Sequence, residues 1–245
     1  MKSRVRSGVR WFGAGIALGA AAYASYVGVT WCRYGHAKGP ADGKDKDTQL
    51  DQFIPIYEVV ERHSISVAAP AETTFSVACE MNLEQSAIIR AIFKGRELIF
   101  GSEPSPPARP LGIVVQAKEW GWGMLAESPG HEIIFGGVTQ PWLANPVFRA
   151  LPPGEFEAFR EPGFVKIAWT LRADPVDEAQ SVFLTETRAT TTDPVSRAKF
   201  RRYWAFLSPG IILIRRMSLR LAKREAERRT REATSTREED LWQET

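Results

Sequence analysis

At 245 residues, 44% hydrophobic and 25% charged, the chain has the composition of an ordinary globular protein. Its two cysteines, Cys32 and Cys79, cannot build a disulfide framework, and its net charge of +3 is small but unevenly spread. Roughly 180 residues outside the N-terminal region are enough for one hydrophobic core, so one domain with appendages is expected.

The N-terminus carries the clearest local signal. A basic stretch, residues 1–10 with Lys2, Arg4, Arg6 and Arg10, precedes Trp11–Cys32, which has 22 residues and no charge. That length suits a single membrane-spanning helix with Trp11 and Trp31 at the interfaces. The rival is a cleaved signal peptide, with Trp11–Ala22 as its apolar region and Ala22-Tyr-Ala24 as its cleavage site. Gly15 and Gly19 form a GxxxG spacing, which an Ala/Gly-rich segment produces easily. Basic residues flank the segment on both sides, so the positive-inside rule places the domain outside the cytoplasm only by a narrow margin. Residues 33–53, rich in Gly, Pro, Lys and Asp, are expected to be a linker, with the folded domain covering 54–231 and an acidic tail covering 232–245.

Within the domain, Glu58–Ala69 alternates as a strand with His63, Ile65, Val67 and Ala69 on one face. Pro70-Ala-Glu opens a helix running to Cys79, and Asn82–Phe93 suits a second, amphipathic one. Glu103–Pro110, with four prolines, is loop. Leu111–Trp120, Trp122–Glu127 and Glu132–Val138 are expected as a meander of strands broken at Gly121 and at Ser128-Pro-Gly130. Glu155–Arg160 adds a short strand. Phe164–Arg172 places Val165, Ile167, Trp169 and Leu171 on one face, and Ser181–Thr190 returns after a polar turn. Asp193 caps the last helix and Pro194 starts it; Phe200, Tyr203, Trp204, Leu207, Ile211 and Ile214 mark its buried stripe. Ser208-Pro209-Gly210 is expected to kink or break that helix. The order is β-α-α, about six antiparallel strands, then a long α: an α+β fold with the sheet wrapped around its terminal helix.

This order, with Ile65-Ser-Val-Ala-Ala-Pro-Ala-Glu-Thr-Thr-Phe75, Gly130-His-Glu-Ile-Ile-Phe-Gly136, Phe159-Arg-Glu-Pro-Gly163, Thr185-Glu-Thr-Arg188 and Phe200-Arg-Arg-Tyr-Trp204, resembles the START-like or SRPBCC superfamily, the helix-grip fold of polyketide cyclases and Bet v 1 proteins. The resemblance covers about residues 58–228 and is closest to a bacterial subgroup that is uncharacterised. It implies a cavity between the sheet and the terminal helix. It does not imply one activity, because the superfamily includes lipid carriers, receptors and cyclases alike.

No GxSxG, P-loop, HExxH, GxGxxG or paired CxxC is present, and His36, His63 and His131 are scattered, so neither a metal nor a cofactor is expected. Candidates for the cavity wall are Trp122, Met124, Phe135, Trp169, Trp204 and Leu207, each of which could equally be core filling. Glu186 and Arg188 share a strand face; inward, they would orient a polar head, and outward, with Phe183, Thr185 and Thr187 inside, they would be a solvated pair. Glu132 is a third polar candidate. Pro194–Arg231 holds twelve Lys or Arg against two Glu, and its Arg215–Arg231 part either binds anionic headgroups or is a solvated face balanced by the acidic tail. Nucleic acid is not an expected partner. The leading expectation is membrane-anchored binding of a lipid or other small hydrophobic molecule without chemistry. The alternatives are a cyclase- or dehydratase-like enzyme, with Glu186 as base and Arg188 stabilising an enolate, and an interaction module with a filled core.

Overall fold

The structure, a computed structural model, describes residues 2–36, 39, 47–103 and 111–243, so most of the proline-rich loop and part of the expected linker lie outside the described residues. Five antiparallel strands, β1 (Val59–Val67), β2 (Gly123–Ser128), β3 (Glu132–Thr139), β4 (Val165–Pro175) and β5 (Ser181–Thr191), form one sheet in the order β1-β5-β4-β3-β2. Among the described residues the helices are α1 (Lys2–Arg33), α2 (Thr48–Phe53), α3 (Ala71–Glu80), α4 (Ala87–Phe100), α5 (Ile113–Glu119), α6 (Pro153–Ala158) and α7 (Pro194–Gln243). The expected α+β fold is present, with a single sheet and a long C-terminal helix.

Strand register assigns the two faces. Glu61, Thr187, Trp169 and Phe135 stand side by side across β1, β5, β4 and β3, and His63, Thr185, Leu171 and Ile133 form the adjacent row. This inner face meets α7 and α3: Val67, Phe135, Leu171 and Phe183 share one core with Val77 and Ala78 of α3 and with Leu219, Ala222 and Ala226 of α7. The outer face carries Val60, Arg188 and Ala168 in one row and Arg62, Glu186, Thr170 and Ile134 in the next. It is covered by α2 and α6, whose Leu50, Phe53 and Phe156 pack with Ile134, Val138 and Ala168. Helices on both faces make the molecule three layers deep.

Several expected elements differ. Two expected strands are short helices, which reduces the sheet from about seven strands to five. Leu111–Trp120 contains α5, where Ile113, Val114 and Ala117 turn to the inner core at helical spacing despite their β-branched composition. Glu155–Arg160 falls on α6, started by Pro152-Pro153, with Phe156 buried beneath it. The second helix begins later than expected, at Ala87, because the Ser86 side chain accepts from the Ile89 amide and caps it there. Within the expected linker, α2 is folded: Asp47 accepts from the Leu50 amide, and Leu50 is fully buried. Residues 232–243, expected as a separate tail, continue α7.

The terminal helix begins where the sequence places it. The Asp193 carboxylate accepts from the Val195 and Ser196 amides at 2.8 and 2.9 Å. It does not break at Pro209: α7 is helical throughout, and the part beyond the proline is gripped by the sheet. Neighbouring helices pack against it near the proline. Tyr23 of α1 donates to the Phe206 carbonyl at 2.7 Å, and Tyr26 bonds Ser208 at 2.9 Å, beside the backbone where proline supplies no N–H. At Gly210 an added Cβ would stand 3.0 Å from Ile92 of α4, so glycine admits the crossing helix.

The expected transmembrane segment forms the body of α1, but among the described residues no helix is long and apolar enough to cross a membrane. Its last turns are engaged with α7. Arg201 donates to the Trp31 carbonyl at 2.7 Å and stacks over the Trp31 ring at 4.4 Å. Tyr34, just past the helix, meets Trp204 edge-on at 6.0 Å.

Candidate functional site

The space between the inner sheet face and α7 is floored by aromatics. Phe135 stacks on Trp169 with centroids 4.8 Å apart, and Trp122 meets Trp169 edge-on at 5.9 Å. Trp122, Trp169, Ile65 and Ile167 retain accessible surface although they lie on the face turned to α7. Along one side, α4 closes the layer, with Phe93 against Trp120, Phe100 against Tyr203, and Arg96 reaching the carbonyls of Pro141 and Leu143.

Beside this floor lies a polar cluster built from β1, β5, α7 and the residue following α1. Tyr34 donates a short hydrogen bond to Glu61, and His63 Nε2 lies 3.3 Å from the other Glu61 oxygen. Burial favours the neutral form of Glu61, but the nearby His63, the bond from Tyr34 and the Arg215 charge outweigh it and hold the carboxyl below its ordinary range. The Tyr34 hydroxyl is pushed up, first by burial and then by Glu61. Arg215 reaches down from α7 and donates to Thr185 Oγ1 at 3.1 Å and to Thr187 Oγ1. Its Nε has no partner, and burial lowers its pKa to about 10. Trp204 Nε1 is also buried without a partner.

The expected site residues divide into three groups. Trp122, Phe135 and Trp169 come together on the inner face, with Met124 beside Phe135 on β2 and more exposed. Trp204 packs farther up α7 with Tyr34, Phe200 and Val59, and Leu207 is half-buried three residues on. Glu132, Glu186 and Arg188 are on the outer face, turned away from α7.

The strand parity question therefore resolves with Phe183, Thr185 and Thr187 inward, but the outer pair is not solvated. Glu186 and Arg188 are fully buried under α2. Arg188 donates to Glu186 at 2.7 Å, to Asp51 at 2.5 Å and to the Ile54 carbonyl at 3.1 Å, and lies 4.8 Å from the Tyr57 ring. Arg62 donates to the other Glu186 oxygen at 2.6 Å. An acid/base role for Glu186 with Arg188 would need both to face a substrate, whereas both are committed to this network. Glu132 accepts from Thr170 at 2.8 Å; burial, then the Asp47 charge, push its carboxyl up to about 7.

Sequence reasoning missed Glu61, Thr185, Thr187 and Arg215 as a unit. The inward parity of His63 was legible and implied the same face for Glu61 two residues earlier. Arg215 was hidden within a run of basic residues. Apart from this layer, a depression of about 200 Å³ is lined by Val138, Gln140, Leu143, Asn145, Val147, Arg149 and Phe164.

No family model and no curated protein matches the chain. Among solved structures it is similar to a conserved protein from Geobacillus kaustophilus, at 12% identity and TM-score 0.34, covering 69% of this chain and 96% of that one. It is similar to the Zhui aromatase/cyclase from Streptomyces sp. R1128, at 15% identity and TM-score 0.24, covering 70% and 94%. A third similarity is to norcoclaurine synthase from Thalictrum flavum, at 10% identity and TM-score 0.25, covering 76% and 95%. The chain's own architecture, one antiparallel sheet in the order β1-β5-β4-β3-β2 holding a long C-terminal helix against its inner face, is a helix-grip arrangement.

Proposed function

We propose that this protein binds a small hydrophobic molecule between the inner sheet face and α7, without chemistry, at a membrane surface. The observation that carries the binding reading is the floor of Trp122, Phe135 and Trp169, two of whose three rings keep accessible surface on an inward face. Aromatic surface facing inward and still reachable is what an apolar ligand needs. The test is native mass spectrometry with organic extraction of the full chain, purified from a membrane-containing host. An apolar molecule is expected to co-purify with the wild type and to be lost in Trp169→Ala. Clean apo masses and no binding of added long-chain lipids would overturn the reading.

The membrane part rests on α7 and α1. Arg216, Arg220 and Arg224 are exposed one turn apart, and none is paired among the described residues. Phe206 and Leu213 are exposed farther up α7, as are Leu18 and Val29 of α1, within the uncharged Trp11–Cys32. Basic residues near an anionic surface contribute about 1 kcal/mol each. In this reading Trp11–Cys32 anchors the chain, and the arginine row holds α7 to anionic headgroups. Alkaline carbonate extraction tests the anchor, which would leave the protein in the membrane pellet. Co-sedimentation with anionic vesicles tests the arginine row. Binding to these vesicles should weaken from low to high salt and in the triple Arg→Gln variant; salt-independent binding would exclude the arginine row.

A further inference from the structure

We propose that the molecule held in this layer carries a carboxylate and that Arg215 receives it. The inference rests on the binding reading above. It adds the chemical class of the ligand.

Arg215 is a part-buried cation on the inner face whose bonded partners are two neutral hydroxyls, Thr185 and Thr187, with the Glu61 charge nearby. Its Nε is left without an acceptor. A buried guanidinium is stable when a carboxylate shares its charge, and it offers five N–H donors in a planar fork that fits one. Among the described residues no carboxylate lies within ion-pair distance of Arg215. The acid on its own face, Glu61, is already held by Tyr34 and His63. Glu186 is on the opposite face, bonded to Arg62 and Arg188. The anion for Arg215 is therefore left to a ligand.

The surroundings define the rest of that ligand. Trp169 is the cross-strand neighbour of Thr187, and Leu171 that of Thr185, so the apolar floor begins beside the guanidinium and continues to Phe135. An apolar body lying along Trp169 and Trp122, the two rings that keep accessible surface, would place its end group at Arg215. One cation beside the Glu61 carboxylate favours a monoanion over a phosphate dianion, because the second charge would meet repulsion from Glu61 at low dielectric.

The test compares dodecanoate and dodecyl phosphate, below their micelle concentrations, with dodecanol, below its solubility limit, binding to the full chain by calorimetry and tryptophan fluorescence. Wild type should bind dodecanoate at least tenfold more tightly than dodecanol, and more tightly than dodecyl phosphate. Arg215→Met should lose the preference for the carboxylate while keeping its affinity for dodecanol; Arg215→Lys should retain part of it. Equal affinities for acid and alcohol in the wild type would overturn the proposal without the need for any variant, as would a preference surviving in Arg215→Met. Tighter binding of dodecyl phosphate would assign the site to phosphate headgroups and overturn the carboxylate. If none of the three binds, the binding reading itself falls.

Discussion

Arg188 and Arg215 come from opposite faces of the same layer of structure, and their environments predict unequal responses to mutation. Arg188 is fully buried with two carboxylates and a carbonyl as partners. Removing it leaves Glu186 and Asp51 as poorly compensated charges, so Arg188→Ala should cost about 3–5 kcal/mol in urea unfolding. Arg215 donates only to neutral hydroxyls, with the Glu61 charge nearby but not bonded to it, so Arg215→Met should cost far less. Glu132 supplies a pH signature. Its carboxyl is raised from 4.5 to about 7, first by burial and then by Asp47. Between those values the native state binds more protons than the unfolded chain, so this contribution to stability falls as pH rises across that window. Glu132→Gln should flatten that fall, and its advantage over wild type should be larger at pH 8 than at pH 5.

At the scale of elements, α7 depends on its first turn and on its middle. Asp193 accepts from the amides of Gly163, Val195 and Ser196, and those bonds with the Ser196 hydroxyl hold its carboxyl far below its ordinary range. Asp193→Ala should lower the thermal midpoint at pH 7. Because the folded pKa is depressed, the wild type keeps this contribution above the unfolded value near 4 and loses it as pH falls through the folded value, so the two proteins should converge in acid. In the middle of α7, the α1 tyrosines meet the helix beside Pro209. A typical hydrogen bond contributes about 1 kcal/mol, so Tyr23→Phe with Tyr26→Phe should loosen α1 by roughly 2 kcal/mol. Earlier release of the N-terminal helix in limited proteolysis would report it.

At the scale of the molecule, the outer face of the sheet is a second core that depends on α2. Leu50, Phe53 and Ile54 cover Ile134, Val138 and Ala168, while Asp51 completes the Arg188 network. A chain starting at residue 54, the boundary read from the sequence, lacks Leu50, Phe53 and Asp51. It should be several kcal/mol less stable than one starting at residue 47, since each large apolar side chain buried contributes about 1.5–3 kcal/mol. Equal urea midpoints for the two chains would show that α2 contributes nothing to the fold.

What the sequence determined alone is what lies within reach along the chain. Period-two alternation placed β1 and β4, Thr and β-branched content placed β5, Asp193-Pro194 placed the start of α7, and Ser128-Pro-Gly130 placed the turn before β3. Each is decided by neighbours a few residues away. Trp169 was placed inward by its alternation along β4, whereas Trp122 and Phe135 were read only as aromatic candidates for the same wall. The structure decided what depends on which element covers which face. Parity alone could not say whether Glu186 and Arg188 or Thr185 and Thr187 faced α7, because both faces of this sheet are buried and α2 came from a stretch that read as linker. Leu111–Trp120 and Glu155–Arg160 became helices because their apolar residues reach the core at helical spacing, a demand set by the packed sheet. That α7 runs on through Pro209 was not legible locally either; α1, nearly two hundred residues earlier, packs its tyrosines beside it. Arg215 became a candidate ligand-binding group only when folding brought it to the inner face with two threonine hydroxyls as its bonded partners.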